Sequence, residues 1–524
     1  MAAPTMEPEL AEAHMRRLLA SLGLDTEYVR GEGDTLYYLD RNGAEVAVLD
    51  LVGGYGTLMF GHNHPELVAL ARDLLAKRVP LHAQFSYHPY ANELAAALNR
   101  VLHREFDIDE PYSAVFANSG AEGIETAMKH AELDRVIRVG ELHAAVEADI
   151  ATARAAVADG TATVSIEARA GLGLAEGADF DALVAELARR NGGILGRGPV
   201  FLTLEGSFHG KLAGSVQLTH NAGHRAPFRA LAAQARFVPV GKPGALAEVL
   251  AEERVVLLAP VVVDGRVTLV EHQYPAIGAF FVEPVQGEGG IHVLSPELAA
   301  EIRAAADAVG FPVVVDEVQS GMGRTGRLFS ASGVGLIGDY FVLAKGLGGG
   351  IAKTAALLVR QSRYRSDFEL VHSSTFAKDA LSCHIGIKVV EMLEADGGAA
   401  YERAVERGAR LRAELDAVAA EFPDVVSEVR GKGLMLGIEF HDLSESTSEV
   451  LRDNARAGLI GYVAAGYLLR EHAIRVFPTA SAAHTLRVEP SLGITDEAIE
   501  RFGRSLRGLC AILSKADGMA LLPG

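Results

Sequence analysis

Residues 339–350 read DYFVLAKGLGGG, a short apolar run that ends in a lysine and a glycine-rich turn. The run predicts a buried strand, and the glycines let another molecule approach the backbone closely. Burial disfavours the charged ammonium, so Lys345 at the end of such a strand can become a neutral amine that forms a Schiff base. The alternative is a structural lysine whose side chain extends past the strand end into water.

Two other predicted strands end in acidic residues. Glu283 follows the run AFFV and Asp316 follows the run PVVV, with a predicted helix over residues 295–310 between them. Apolar strands joined through a helix indicate a parallel sheet that is covered on both faces. Ligands bind such sheets beyond the carboxyl ends of the strands. One acidic strand end is ordinary, but the succession Glu283, Asp316 and Lys345 favours a shared crevice.

A turn of small residues predicts an anion site. Residues 114–116 form a short predicted strand, the turn NSGAE follows at 118–122, and a helix is predicted over 123–131. The start of a helix presents free backbone N–H groups and the positive end of the helix dipole, which favour phosphate. The alternative is an ordinary N-cap made by Ser119 or Asn118.

These groups match what pyridoxal phosphate requires. The cofactor needs an amine for its aldehyde, a carboxylate for its ring nitrogen, N–H groups for its phosphate and a flat side chain against its ring. Lys345, Asp316 and the turn at Ser119 supply the first three, and Phe208, just after the predicted strand 201–204, supplies the fourth. The sequence therefore predicts a pyridoxal phosphate site.

Bulk composition narrows the class of protein. The 524 residues suffice for at least two domains, and the net charge of -19 argues against non-specific binding to nucleic acid or an anionic membrane. Two cysteines, Cys383 and Cys510, are too few for a disulfide framework, and the first residues lack a secretory signal, so we expect a cytoplasmic protein. The pair His62 and His64 lacks a third ligand at metal-site spacing, so no metal site is predicted.

The remaining segments suggest additions to a common core. A helix is predicted over 7–22, a hairpin around Asn42-Gly43 and a second hairpin around Asp264-Gly265. Residues 133–198 have little pattern beyond a helix near 180–190 and are interpreted as an insertion. After about residue 360 the pattern is typical of a smaller α+β domain, with predicted helices over 399–422 and 454–471 and predicted strands over 433–440 and 486–490.

The chain resembles the class III, ornithine- and acetylornithine-type, pyridoxal phosphate-dependent aminotransferases. The matching segments occur in family order and are 55–65, 118–131, 208–210, 282–290, 315–326, 344–346, 374–376 and 487–492. The resemblance implies a fold type I α/β protein and a homodimer with its sites at the subunit interface. It divides the chain into an N-terminal segment over 1–48, a large cofactor domain over 49–360 with insertions near 133–198 and 252–274, and a small domain over 361–524.

The resemblance also implies roles for individual residues. Lys345 would form the Schiff base and then move the substrate proton, and Asp316 would pair with the ring nitrogen. The implied cofactor-binding set is Ser119, Gly120, Ala121, Phe208, His209, Glu283, Asp316, Gln319, Lys345 and, from the partner subunit, Thr375. Arg487 would bind a substrate α-carboxylate, Glu288 would neutralise that arginine when another substrate binds, and Tyr55 would line the substrate site.

Departures from the family pattern concern the substrate. Ala377-Lys378-Asp379-Ala380 stands where the family has Gly-Gly-Asn-Pro, Lys211 replaces an arginine, and the 133–198 insertion is extra. We expect amino transfer from L-glutamate or L-glutamine to an aldehyde or ketone, in specialised metabolism such as antibiotic biosynthesis. The alternatives are ornithine- or acetylornithine-type transamination, an aminomutase, racemase or decarboxylase of the same fold, and a cofactor-binding protein without catalysis. A nicotinamide-dependent dehydrogenase is disfavoured because no Gly-x-Gly-x-x-Gly turn follows an early strand.

Overall fold

The computed structural model describes residues 10–83 and 86–523. Its centre is a seven-stranded sheet. The strands lie in the order Tyr112–Ala117, Ala355–Arg360, Tyr340–Leu343, Val313–Asp316, Ile277–Val282, Val200–Leu204 and Ala235–Val238. Ala355–Arg360 is antiparallel to both its neighbours, and the other adjacent pairs are parallel. The predicted mostly parallel sheet is confirmed.

The central strands are buried on both faces because their side chains alternate between two hydrophobic cores. Phe280 and Phe341 belong to the larger core, whereas Phe281 and Tyr340 pack in the core on the opposite face. All four side chains are fully buried. This explains why the strands read as continuous apolar runs.

Helices cover the sheet and build the rest of the chain. The longer ones are Ala13–Ser21, Pro65–Ala76, Tyr90–Phe106, Gly120–Ala158, Phe180–Leu195, Ala245–Glu253, Pro296–Val309, Ala380–Glu394, Ala399–Glu421, Glu449–Arg456, Ile460–His472 and Asp496–Ser514. Pro296–Val309 has Ser295 as N-cap and Gly310 as C-cap, as predicted. Across 10–83 and 86–523, no helix has both the length and the apolar character needed to span a membrane.

The N-terminal hairpin joins the C-terminal part of the chain. Strands Arg30–Glu32, Thr35–Leu39 and Glu45–Asp50 pair antiparallel, and Ile474–Arg475 adds to them in parallel. The predicted hairpin around Asn42-Gly43 is thus confirmed. The first helix begins at Ala13, and residues 7–9 of the predicted helix lie outside the described residues.

A second small sheet completes the C-terminal part. It consists of the antiparallel strands Val426–Lys432, Met435–Phe440, Thr485–Val488 and Phe477–Pro478. The single helix predicted over 454–471 is wrong. Two helices, Glu449–Arg456 and Ile460–His472, replace it because Gly458 adopts a left-handed conformation with φ of 69° that ends the first.

The two predicted insertions fold together into one accessory unit, formed by residues 133–198 and 252–274. Strand Thr163–Val164 pairs in parallel with Arg266–Gln273, which forms the second predicted hairpin with Val256–Val263. Helices Ile166–Leu172 and Phe180–Leu195 pack on this sheet around buried apolar residues. Asn191 joins helix Phe180–Leu195 to strand Val256–Val263. Its side-chain amide forms hydrogen bonds of 2.8 and 3.1 Å to the backbone of Leu258.

The helix predicted over 123–131 is longer than expected. It runs from Gly120 to Ala158, about 58 Å at the usual rise per residue, and enters the accessory unit. Its first half packs against the central sheet and its second half against the accessory unit. Because different faces are covered along its length, the sequence shows no single apolar stripe.

Candidate active site

The carboxyl ends of five strands of the central sheet lie at one edge. They carry, in chain order, the turn 118–121, the loop 205–211, Glu283, Asp316 and Lys345. Close contacts join these segments. A Cβ built on Gly120 would lie 2.7 Å from Val318, and one on Gly210, whose φ is +119°, would lie 2.7 Å from the Ala121 Cβ. Glycine at both positions lets the turn, the loop and the Asp316 strand approach one another.

Lys345 follows strand Tyr340–Leu343 with a left-handed φ of 45°. Its Nζ donates to Oε1 of Gln319 at 2.9 Å. Burial lowers the pKa of Lys345, while the carboxylates of Glu489 and Glu288 act in the opposite direction. The net lowering favours the neutral amine, as the sequence predicts for a nucleophilic lysine.

Asp316 is held by His209. Nδ1 of His209 lies 2.7 Å from Oδ2 of Asp316, and its Nε2 lies 3.1 Å from the Thr203 hydroxyl. Burial by itself would lower the pKa of His209, but the hydrogen bond to Asp316 and its charge outweigh burial, so this pKa is raised. Oδ1 of Asp316 accepts from the Val318 N–H at 3.0 Å. The carboxylate is therefore fixed from both sides.

Glu283 supports the loop that carries Phe208. Its two carboxylate oxygens accept from the backbone N–H groups of Phe208, at 2.9 Å, and Gly287, at 3.0 Å. Burial raises the pKa of Glu283 to about 7, with the charge of Asp316 acting in the same direction. Glu283 and His209 were both predicted to bind the cofactor. In this structure both carboxylate oxygens of Glu283 bind backbone N–H groups, and both ring nitrogens of His209 lie beside protein oxygens.

The turn 118–121 forms the start of a capped helix. Ser119 Oγ accepts from the Glu122 N–H at 3.3 Å, and Glu122 in turn accepts from the Asn118 N–H at 2.9 Å. Ser119 is thus the N-cap, and Glu122 binds the backbone N–H of the residue that precedes the cap. Within 10–83 and 86–523, the N–H groups of Gly120 and Ala121 donate to no protein acceptor. The N-cap and the anion site predicted from the sequence are therefore compatible, because they use different N–H groups.

Arg487 and Glu288 form a buried ion pair. The guanidinium Nη2 donates to Glu288 Oε2, which also accepts from the Ala480 N–H at 2.7 Å. Burial alone would raise the pKa of Glu288, but Arg487 lowers it below its ordinary value. The Tyr55 ring lies 4.9 Å from the guanidinium carbon. The Nε and Nη1 groups of Arg487 are buried without a hydrogen-bond partner in the described chain.

Thr375 lies next to the turn 118–121 of its own chain. The preceding residue, Ser374, accepts a hydrogen bond of 2.8 Å from the Asn118 side chain. Thr375 is exposed, as are Leu370, Val371 and Phe376 around it. Its contribution to the site of a partner subunit stays a prediction.

One carboxylate of the site was not predicted. Glu489 is fully buried, and its Oε1 accepts from Nε2 of Gln319 at 2.8 Å. It is two residues from Arg487, and alternate residues of an extended chain point to the same face. This spacing was the available signal for a second charged side chain in the crevice.

Known proteins share the family and the fold of this chain. The model of the family aminotransferase class-III matches residues 23–507. The fold is similar to that of an ornithine aminotransferase from Toxoplasma gondii, with 22% identity, a TM-score of 0.65 and coverage of 94% of this chain and 92% of that chain. The fold is also similar to that of an amine transaminase from an uncultivated Pseudomonas species, with 21% identity, a TM-score of 0.66 and coverage of 98% of each chain.

A transaminase from the marine bacterium Virgibacillus is also similar, with 18% identity, a TM-score of 0.66 and coverage of 94% of each chain. The family match extends over the hairpin, the central sheet, the accessory unit and most of the C-terminal part. The chain therefore belongs to the class III aminotransferases, fold type I enzymes that use pyridoxal phosphate to transfer amino groups.

Proposed function

We propose that the crevice at the sheet edge binds pyridoxal phosphate through Lys345, Asp316 and the turn 118–121. The observation that carries this proposal is the convergence of these groups from three strand ends, with the Gly120 and Ala121 N–H groups available to an anion. The helix dipole contributes about 0.3–1 kcal/mol to phosphate binding, so hydrogen bonds supply most of the anchoring. Phe208, held by Glu283, provides the ring surface.

The bound cofactor supplies an electron sink for the substrate carbon that loses its proton. Asp316 would bind the protonated ring nitrogen of the cofactor, and His209 holds this carboxylate in place. Lys345 would take up and return the substrate proton, because its lowered pKa makes the neutral amine available as a base. Gln319, hydrogen-bonded to that Nζ, orients it.

The donor is proposed to be L-glutamate or L-glutamine. Nε and Nη1 of Arg487 have no hydrogen-bond partner among the described residues, so this guanidinium still has N–H groups to donate to a substrate carboxylate. Glu288 balances the guanidinium when a substrate without that carboxylate is bound. A site that accommodates both kinds of substrate in turn favours transamination over an aminomutase, racemase or decarboxylase reaction.

The acceptor is proposed to be an aldehyde or ketone of specialised metabolism, such as an antibiotic precursor. The support is the changed loop after Thr375, in which Asp379 caps helix Ala380–Glu394 through the Ser382 N–H at 3.0 Å. The residues of this loop differ from Gly-Gly-Asn-Pro and directly follow Thr375. Ornithine- or acetylornithine-type transamination is the second candidate, because the Arg487–Glu288 pair is retained.

Spectroscopy of the half-reaction tests this proposal. L-Glutamate or L-glutamine should convert the bound cofactor to its amine form, and Lys345→Ala should abolish multiple turnover while leaving a folded protein. Lys432→Ala is the matched control, because burial also lowers the pKa of Lys432, which lies outside the crevice. Failure of both donors would reject the donor assignment, and multiple turnover by Lys345→Ala would reject the role of Lys345.

A homodimer that completes its sites in trans is also proposed. Leu370, Val371 and Phe376 are exposed apolar residues beside Thr375, and such patches are typical of subunit interfaces. Mixing Lys345→Ala with Thr375→Ala should restore activity, because one site of the mixed dimer would have both native residues. No restoration after verified subunit exchange would contradict the role of Thr375 in trans.

The buried free thiols of Cys383 and Cys510 are compatible with the proposed cytoplasmic location.

A further inference from the structure

A second buried carboxylate is connected to Lys345 through one amide. Lys345 Nζ donates to Gln319 Oε1 at 2.9 Å, and Gln319 Nε2 donates to Glu489 Oε1 at 2.8 Å. A carboxylate is only an acceptor, so Glu489 requires the NH2 group of the Gln319 amide to face it. The carbonyl of the same amide then faces Lys345 and accepts from its Nζ, whether the nitrogen is charged or neutral.

Glu489 is rigidly placed for this contact. Its backbone N–H donates to the Leu51 carbonyl at 2.7 Å, and its side chain is fully buried. The second carboxylate oxygen, Oε2, is also buried and has no hydrogen-bond partner among the described residues. A buried, incompletely paired carboxylate costs stability unless nearby cations offset its charge.

Glu489 is a counter-charge to two buried cations, Lys345 and Arg324. Glu288 is engaged by Arg487, and Asp316 by His209. Among the carboxylates acting on Lys345, Glu489 has the largest effect. The charged groups that act on Lys345 or Glu489 are Glu288, Asp316, Arg324 and Arg487.

We propose that Glu489 is a positioning residue that fixes the amide of Gln319 and, through it, the amine of Lys345. The inference rests on the proposed function only in the role of Lys345. The negative charge of Glu489 favours the protonated state of the Lys345 nitrogen, and the hydrogen bond to Gln319 holds that nitrogen in place for proton transfer. Glu489 thus combines two effects that substitutions can separate.

Glu489→Gln removes the charge and keeps the shape. We expect the pKa read from the absorbance of the bound cofactor to shift downwards, because loss of a nearby anion disfavours the protonated nitrogen. We also expect kcat to fall by about 10- to 100-fold, with a smaller change in KM, as for a displaced reacting group. Glu105→Gln is the control, because Glu105 is a buried carboxylate that binds the backbone of Leu328 and Phe329 away from the crevice.

Two further variants separate contact from charge. Glu489→Asp keeps the charge but is one methylene too short for the bond to Gln319, so kcat should fall with a smaller change in the absorbance pKa. In a Gln319→Leu background, Glu489→Gln should lower kcat little further, since the connecting amide is already gone. An unchanged absorbance pKa in Glu489→Gln, or fully additive losses in kcat, would overturn the inference.

The pH dependence of the cofactor absorbance distinguishes failure of the role proposed for Glu489 from failure of the proposed function. If Lys345→Ala leaves the pH dependence of the cofactor absorbance unchanged, the role proposed for Lys345 is wrong. If that dependence requires Lys345 but is the same in wild type and Glu489→Gln, only the role proposed for Glu489 is wrong. Thermal unfolding of each variant verifies that its fold is retained.

Discussion

Replacing Arg487 with methionine should destabilise the protein strongly at neutral pH. The Arg487 side chain is 1% exposed and that of its partner, Glu288, is 12% exposed. Removing one member of such a pair leaves a buried charge, which costs about 3–5 kcal/mol. The Ala480 N–H still binds Glu288 after the substitution, so we expect a loss near the lower end of that range.

The loss should depend on pH in a defined direction. In the wild type, Arg487 lowers the pKa of Glu288 in the folded state, so the stability contributed by this group is present above the pKa of the unfolded chain and lost as pH falls. In Arg487→Met, only Lys345 and the Ala480 N–H still oppose the effect of burial, so the same pKa is higher than in the wild type. The penalty is then greatest at neutral and alkaline pH and disappears as Glu288 takes up a proton. The two proteins should therefore become more alike in stability as pH decreases.

Urea unfolding of the cofactor-free protein at pH values on both sides of this transition is the assay, because ligand binding then adds nothing to the free energy of unfolding. The double variant Arg487→Met/Glu288→Gln is the control, since it has no unpaired charge. It should recover most of the loss, apart from about 1 kcal/mol for the lost contact of Arg487 with Tyr55. An equal loss at both pH values, or a double variant no more stable than the single one, would refute the reasoning.

Two further predictions concern buried residues outside the crevice. Burial raises the pKa of Glu317 to about 8, so the folded state retains its proton and stability is lost as pH rises towards that value. Glu317→Gln should reduce this decline by on the order of 5 kcal/mol in urea unfolding, and identical pH profiles would contradict the assignment. Leu187→Ala, in the core of the accessory unit, should cost about 2–5 kcal/mol in thermal unfolding. It should leave the absorbance of bound cofactor unchanged, whereas a loss of cofactor would indicate that the unit supports the crevice directly.

The central sheet was predictable because each of its strands is marked by residues adjacent in the sequence. The runs before Glu283, Asp316 and Lys345 are short, apolar and followed by charged residues, so both the strands and their common direction could be inferred. The direction alone then placed these three residues at one edge. The ion pair between Arg487 and Glu288 depended on the family resemblance, since the two residues are 199 positions apart.

Other features needed the folded structure. The spacing of Glu489 from Arg487 indicates only that both side chains share a face, whereas its contact with Gln319, 170 positions away, has no local signal. The break at Gly458 was missed because the helical pattern continues on both sides of it. The length of helix Gly120–Ala158 was missed because its two halves are covered by different structures.

The pairing inside the accessory unit links the inheritance of the two segments that the sequence predicts to be insertions. Its strand Thr163–Val164 comes from one insertion and its partner Arg266–Gln273 from the other. Removing either insertion would expose the apolar side chains of the one that remained, including Leu187 and Val267. The two segments are therefore expected to be inherited as a pair. Relatives should have both insertions or neither, and a shortened chain designed for the laboratory should omit them together.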